Sequence, residues 1–75
     1  MRKILVTGAF GQIGSELVPA LMAKYGQENV ISIGHHTIPK DFAGIVETVA
    51  DITDKSALEQ LIKKHDIGTI YHLVS

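Results

Sequence analysis

The sequence contains no cysteine and no tryptophan, and it has only two prolines among its 75 residues. The absence of cysteine excludes disulfides, thiolate nucleophiles and cysteine-based zinc sites. A chain of this length with neither a disulfide nor an evident metal site has little core to offset its ordering entropy. We therefore expect marginal stability for these residues in isolation.

The sequence also lacks a strong charge imbalance and any apolar run long enough to span a membrane. Its net charge is −1 and its basic residues are scattered, so no positive patch favours nucleic acid. The opening residues MRKILVTG carry two basic side chains before an apolar stretch, but no cleavage-site pattern follows. We expect no nucleic-acid or membrane partner and a cytoplasmic location.

Four short aliphatic segments predict β-strands. The first, KILVT, is apolar in its interior and ends at a glycine, which is typical of a central parallel strand buried on both faces. The third is more polar because of Glu47 and Thr48, which is typical of an edge strand. The predicted strands cover residues 3–7, 29–34, 45–50 and 69–75.

Two amphipathic segments predict helices. The first begins at Gln12 and ends at Gly26. The second has Thr53 or Asp54 as its N-cap and Gly68 as its stop signal. Right-handed crossovers put the two helices on opposite faces of a sheet with strand order 3-2-1-4. The sequence thus predicts an α/β fold, the amino-terminal half of a Rossmann-like doubly wound parallel sheet.

The segment VTGAFGQIG places Gly8, Gly11 and Gly14 between the first strand and the first helix. Open α/β sheets bind ligands at this edge. Gly8 allows a tight turn, Gly11 lets the backbone approach a pyrophosphate, and Gly14 lets the helix pack closely, while free helix N–H groups bind an anion. The alternative is a loop whose glycines serve only turn geometry and packing. The flanking strand and helix favour a dinucleotide site.

ILVTGAFGQIGSEL, DITD and YHLVS together resemble the amino-terminal part of the extended short-chain dehydrogenases/reductases, the NAD-dependent epimerases and dehydratases. GQIGSELVPALMAKYGQENVI is more similar to the threonine 3-dehydrogenase branch than to the sugar-nucleotide epimerases. The resemblance covers essentially all of the chain but only the opening portion of a family member. It implies that residues 1–75 are part of an NAD(P)-binding domain whose parent we expect to be a homodimer.

The resemblance assigns the pyrophosphate to the glycine turn. Gly8, Gly11 and Gly14 would line it, and Gln12 and Ile13 would contribute backbone N–H groups at the start of the helix.

It also implies contacts after the third and fourth strands. Asp51 and Ile52 would meet the adenine through a carboxylate and a backbone N–H, although from the residues alone this segment serves equally well as a turn and helix cap. Leu73 would lie beside the cofactor at the end of the fourth strand. Val74 and Ser75 replace the two alanines usual in the family.

The sequence departs from the dinucleotide fingerprint at the end of the second strand. An acid that binds the ribose is expected about 20 residues beyond the glycine motif, and Gly34 stands there, followed by His35 and His36, with Lys40 further along. Without the acid, a 2′-phosphate is not repelled, but two neutral histidines are a poor substitute for arginine. NADP therefore remains open beside NAD, which the branch resemblance favours.

No catalytic residue is predicted in these 75 residues. The superfamily pairs a tyrosine with a lysine four residues later for proton transfer, whereas Tyr25 is followed by Asn29 and Tyr71 by Ser75.

The four histidines have no spacing typical of metal ligands, so no metal site is predicted either. We interpret His65 as a favourable charge at a helix C-terminus and His72 as a partly buried strand residue.

Three hypotheses follow for the function. The first is the cofactor-binding part of a threonine dehydrogenase-like oxidoreductase, in which hydride passes from a hydroxyl carbon to the nicotinamide. The second keeps the cofactor but acts on a nucleoside-diphosphate sugar. The third is a free-standing nucleotide-binding module without catalysis.

Overall fold

The fold was analysed in a computed structural model, which describes residues 1–34, 38–49 and 53–73. These described residues contain four strands, two α-helices and a short 3₁₀ turn at Gln27–Asn29. In chain order the elements are β1 (Lys3–Thr7), α1 (Gly14–Tyr25), β2 (Val30–Gly34), β3 (Ile45–Thr48), α2 (Lys55–His65) and β4 (Ile67–His72).

The strands form one parallel sheet in the order β3-β2-β1-β4, which confirms the predicted topology. Alternate side chains of the central strands face opposite helices. Ile4 and Val6 pack in one apolar cluster with Val18 and Leu21 of α1. Leu5 packs in the other, where the partly buried residues of α2 are Ala57, Leu58, Leu61 and Ile62. The helices therefore cover opposite faces, as the doubly wound fold requires.

The end of α2 differs from the prediction. The helix ends at Asp66, which has a left-handed φ of 53° and whose amide bonds to the carbonyl of Ile62. Aspartate tolerates this conformation, so Gly68 is not needed as a stop and lies within β4 instead. Ile67 is buried and starts β4 two residues earlier than predicted. At the other end of α2, Asp54 is the N-cap, and its side chain accepts hydrogen bonds from the amides of Ser56 and Ala57.

Glu47 on the edge strand β3 joins it to the last turn of α2. Its Oε2 accepts hydrogen bonds from Lys64 Nζ at 2.8 Å and His65 Nε2 at 2.5 Å. These bonds, with that from Lys64 first, lower the pKa of Glu47 below its ordinary value. His65 thus lies in the last helical turn as predicted, and it also binds a carboxylate there.

Replacing Glu47 by glutamine is expected to cost about 1 kcal/mol of stability at neutral pH, because the ion pair with Lys64 is lost. A lowered carboxyl pKa stabilises the fold above the unfolded value of 4.5, and this contribution disappears as the pH falls through the lower folded value. The difference between wild type and Glu47→Gln should therefore shrink below about pH 4.5. Urea denaturation at several pH values measures this difference in unfolding free energy. Glu59→Gln, on the exposed side of α2, is the control.

Ser32 and Thr7 are the two buried polar residues of the described core. The hydroxyl of Ser32 has no hydrogen-bond partner in the part of the chain that the structure describes, whereas that of Thr7 has two. Ser32→Ala is therefore expected to raise the free energy of unfolding by about 1 kcal/mol, and Thr7→Val to lower it by a similar amount. A loss of stability in Ser32→Ala would contradict the orphaned state of this hydroxyl.

Candidate functional site

The turn after β1 is closed by its own backbone. Gly8 has a positive φ of 63°, and the amide of Gly11 donates to the Gly8 carbonyl at 3.1 Å. A Cβ atom at Gly8 would lie 2.5 Å from the carbonyl oxygen of Leu73. The backbone conformation thus favours glycine here, and the neighbouring strand end leaves no room for a side chain.

Gly14 brings the start of α1 against this turn. A Cβ atom there would lie 2.5 Å from the carbonyl oxygen of Ala9 and would also overlap the carbonyl oxygen of Gly8. Both obstacles are backbone atoms, which cannot swing aside as a side-chain end can. The predicted role of Gly14 in close helix packing has this geometric basis.

The N-terminus of α1 presents free amides. No side chain caps it, in contrast to Asp54 at α2. The amide of Ser15 donates to Gly11, but those of Gln12, Ile13 and Gly14 have no backbone acceptor among residues 1–34, 38–49 and 53–73. Gln12 and Ile13 are exposed, Ile13 at 63%. Free N–H groups at the positive end of a helix dipole bind anions such as phosphate.

Thr7 ties the ends of β1 and β4 together beside this turn. Its hydroxyl accepts from the amide of Leu73 at 3.1 Å and lies 3.0 Å from His72 Nδ1. The Leu73 amide also reaches the Thr7 carbonyl at 3.3 Å. The structure therefore brings Leu73 next to Gly8. Within the described residues, the side chain of His72 is exposed rather than partly buried as predicted, while its Nδ1 contacts the hydroxyl of Thr7.

The end of β2 borders the site on the side opposite to β4. Gly34 has Ile38 and Phe10 against it, and the ring of Phe10 meets that of Phe42 edge-on at 4.9 Å between centroids. The sequence prediction identified the missing acid at Gly34 but not these apolar neighbours. Phe10 lies inside the glycine motif, and an aromatic side chain there was the available signal.

Several predicted positions lie outside the described residues. These are the adenine-binding pair Asp51 and Ile52, the histidines His35 and His36, and the terminal residues Val74 and Ser75. The structure brings together the other predicted positions, namely Gly8, Gly11, Gln12, Ile13, Gly14 and Leu73.

Neither a metal-binding cluster nor a membrane-spanning helix occurs in the described ranges. Within them, no group of three or more histidine, aspartate or glutamate side chains is placed to hold a metal ion. Nor does any helix in these ranges have the length and apolar character needed to cross a membrane.

Comparisons with known proteins agree with this geometry. Residues 4–75 match the model of the NAD dependent epimerase/dehydratase family. An uncharacterized epimerase/dehydratase of Staphylococcus saprophyticus is 32% identical over the whole chain, which spans 24% of that protein. The structure of L-threonine dehydrogenase from Clostridium difficile is 46% identical, with a TM-score of 0.88. The similarity covers all of this chain and 24% of the dehydrogenase chain.

A monomeric L-threonine 3-dehydrogenase from a metagenome is 40% identical, with a TM-score of 0.85. The similarity covers 96% of this chain and 23% of the dehydrogenase chain. The chain thus spans about a quarter of the length of these relatives. The family match agrees with the parallel sheet and with the glycine turn at the carboxyl edge of that sheet. The chain belongs to the NAD-dependent epimerase/dehydratase family.

Proposed function

We propose that residues 1–75 are the dinucleotide-binding amino-terminal part of a longer threonine dehydrogenase-like oxidoreductase. The observation that carries this proposal is the uncapped start of α1. Among the described residues, the amides of Gln12, Ile13 and Gly14 have no backbone acceptor there, and the adjacent turn leaves no room for side chains at its first and last glycines. This arrangement fits a pyrophosphate, which needs N–H donors and close backbone approach.

The glycines of the turn and the amides of the helix start have different roles in the proposed site. Gly8 and Gly14 shape the turn, Gly11 allows close approach of the pyrophosphate, and the amides of Gln12 and Ile13 donate to its oxygens. Leu73, held beside Gly8 by Thr7, borders the cofactor.

The adenine is assigned to Asp51 and Ile52 through the family resemblance. When bound, the nicotinamide supplies the hydride acceptor for oxidation of a hydroxyl carbon. The proton-transfer residues are not assigned to these 75 residues.

Gly11 distinguishes ligand binding from mere turn geometry. Unlike Gly8, it does not have a positive φ, so its backbone tolerates a side chain. Gly11→Ala is expected to weaken NAD⁺ binding about 10-fold or more, while the free energy of unfolding changes by less than about 1 kcal/mol. Isothermal titration calorimetry and urea denaturation of the full-length protein measure the two effects.

Gly26→Ala is the matched control at the opposite end of α1. Gly26 has a positive φ of 95°, so this variant is expected to lose stability without weakening NAD⁺ binding when folded. Unchanged affinity in Gly11→Ala would favour the turn-geometry interpretation and contradict the proposed site.

A nucleotide-sugar epimerase or dehydratase is the second candidate, favoured by the description of the Staphylococcus saprophyticus relative. Assays of the full-length protein with L-threonine and with nucleoside-diphosphate sugars distinguish the two candidates. NADH formation with threonine supports the first. Turnover of the sugar nucleotides alone supports the second. We also expect a homodimer, which the solution mass would test.

A further inference from the structure

The end of β2 lies at the level of the glycine turn. β1 and β2 pair in register with Val6 opposite Ser32, so Gly8 and Gly34, each two residues further on, share one level of the sheet edge. In dinucleotide-binding βαβ units, an acidic side chain at this level accepts hydrogen bonds from the adenosine ribose. Gly34 provides no such group.

The space that a side chain at residue 34 would need is already filled. A Cβ atom on Gly34 would lie 2.8 Å from Ile38 Cγ1 and 3.2 Å from Phe10 Cε2. The Ile38 atom is next to the branch point of its side chain, so it cannot move away by a small rotation of a flexible end. An acid at residue 34 is therefore excluded sterically as well as missing from the sequence.

Phe10, the aromatic neighbour of Gly34, is itself packed against a second aromatic ring. The Phe10 ring contacts Phe42 at an interplanar angle of 85°. Phe42 packs against the buried cluster under α1, and a Cβ on Gly44 would lie 2.8 Å from its ring. Gly44 thus lets the Phe42 ring lie on the backbone and support Phe10. These contacts give the end of β2 an apolar surface.

We propose that Phe10 and Ile38 take the place of the ribose-binding carboxylate, so that the adenosine ribose packs on apolar side chains and the protein accepts both NAD⁺ and NADP⁺. This inference rests on the proposed dinucleotide site. Without a carboxylate the ribose hydroxyls lose a charged acceptor, which weakens NAD⁺ binding, and a 2′-phosphate meets no repulsion from residue 34. Exposed Lys40 and Asp41 beyond Ile38 carry opposite charges.

Titration of the full-length protein with NAD⁺ and NADP⁺ tests the inference directly. The two dissociation constants are expected to agree within about 10-fold. A preference of about 100-fold or more for either dinucleotide would overturn it, including a preference for NAD⁺ caused by an acid elsewhere, such as Asp41. If neither dinucleotide binds, the proposed function fails as well, whereas tight binding of NAD⁺ alone contradicts only this inference.

Three variants test the steric part. Gly34→Asp alone is expected to lower the unfolding free energy and to create little preference for NAD⁺, because Ile38 blocks the new side chain. Gly34→Asp combined with Ile38→Ala is expected to favour NAD⁺ over NADP⁺ by about 10-fold more than the single variant does. Ile38→Ala alone removes the same apolar contact from both dinucleotides, so it is expected to weaken the binding of both and to leave their ratio near that of wild type. Equal preferences in the single and double aspartate variants would contradict the role of Ile38, and the wild-type ratio decides the inference even if a variant does not fold.

Discussion

Replacing Gly14 by alanine is expected to lower the free energy of unfolding by at least about 3 kcal/mol, at the upper end of the usual cost of overpacking. The added methyl group would overlap the carbonyl groups of Gly8 and Ala9, so either α1 or the turn must move. Since the free amides of the helix start lie at this point, such a shift also misplaces the anion donors. We expect NAD⁺ binding to weaken more than about 100-fold.

Urea denaturation and calorimetry of the full-length protein measure these effects under conditions where circular dichroism confirms folding. Gly44→Ala is the matched control, because the nearest atoms that a methyl group would meet there belong to the side chains of Phe42 and Met22 and not to the backbone. Its loss of stability should be smaller. Equal losses in the two variants would show that backbone overlap at Gly14 has no special effect.

Replacing Gly8 by alanine has the second-largest expected effect, about 3 kcal/mol from strain and overlap combined. The conformation alone does not require glycine, since Asp66 has a similar φ of 53° and carries a side chain. The additional obstacle at Gly8 is the Leu73 carbonyl, 2.5 Å from the position of a Cβ. β4 must therefore move away from the turn in the variant, which removes Leu73 from the site.

Gly8→Asn separates the two causes. Asparagine tolerates a positive φ better than alanine does, but its Cβ meets the same carbonyl. Both variants are expected to be similarly unstable in urea denaturation. If asparagine restored most of the lost stability, backbone strain rather than the contact with Leu73 would be the main cause.

The fold could be predicted because its signals are local and repeated. The apolar run of β1 requires burial on both faces, and the amphipathic helices can then only cover the two sides of a parallel sheet. The glycines at residues 8, 11 and 14 predicted the position of the turn, in which Gly8 and Gly14 leave no room for a side chain.

The errors concern features decided by tertiary contacts. His72 is exposed among the described residues, since its burial depends on what packs against β4 and not on the sequence pattern of the strand itself. At Gly34, Phe10 comes together with Ile38 and Phe42, which are about 30 residues later in the sequence. No spacing rule therefore predicts these contacts. Asp66 ends α2 in place of the predicted Gly68, because an aspartate in a left-handed conformation is a weaker sequence signal than glycine.

The connection between α2 and β4 consists of Asp66 alone. Successive strand residues face opposite sides of a sheet, so one inserted residue at this junction would exchange the environments of Tyr71 and His72 along β4. It would also remove Leu73 from the hydroxyl of Thr7, at the far end of the strand. The length of this junction thus determines the geometry of the cofactor edge, and we expect an insertion at Asp66 to disrupt that edge.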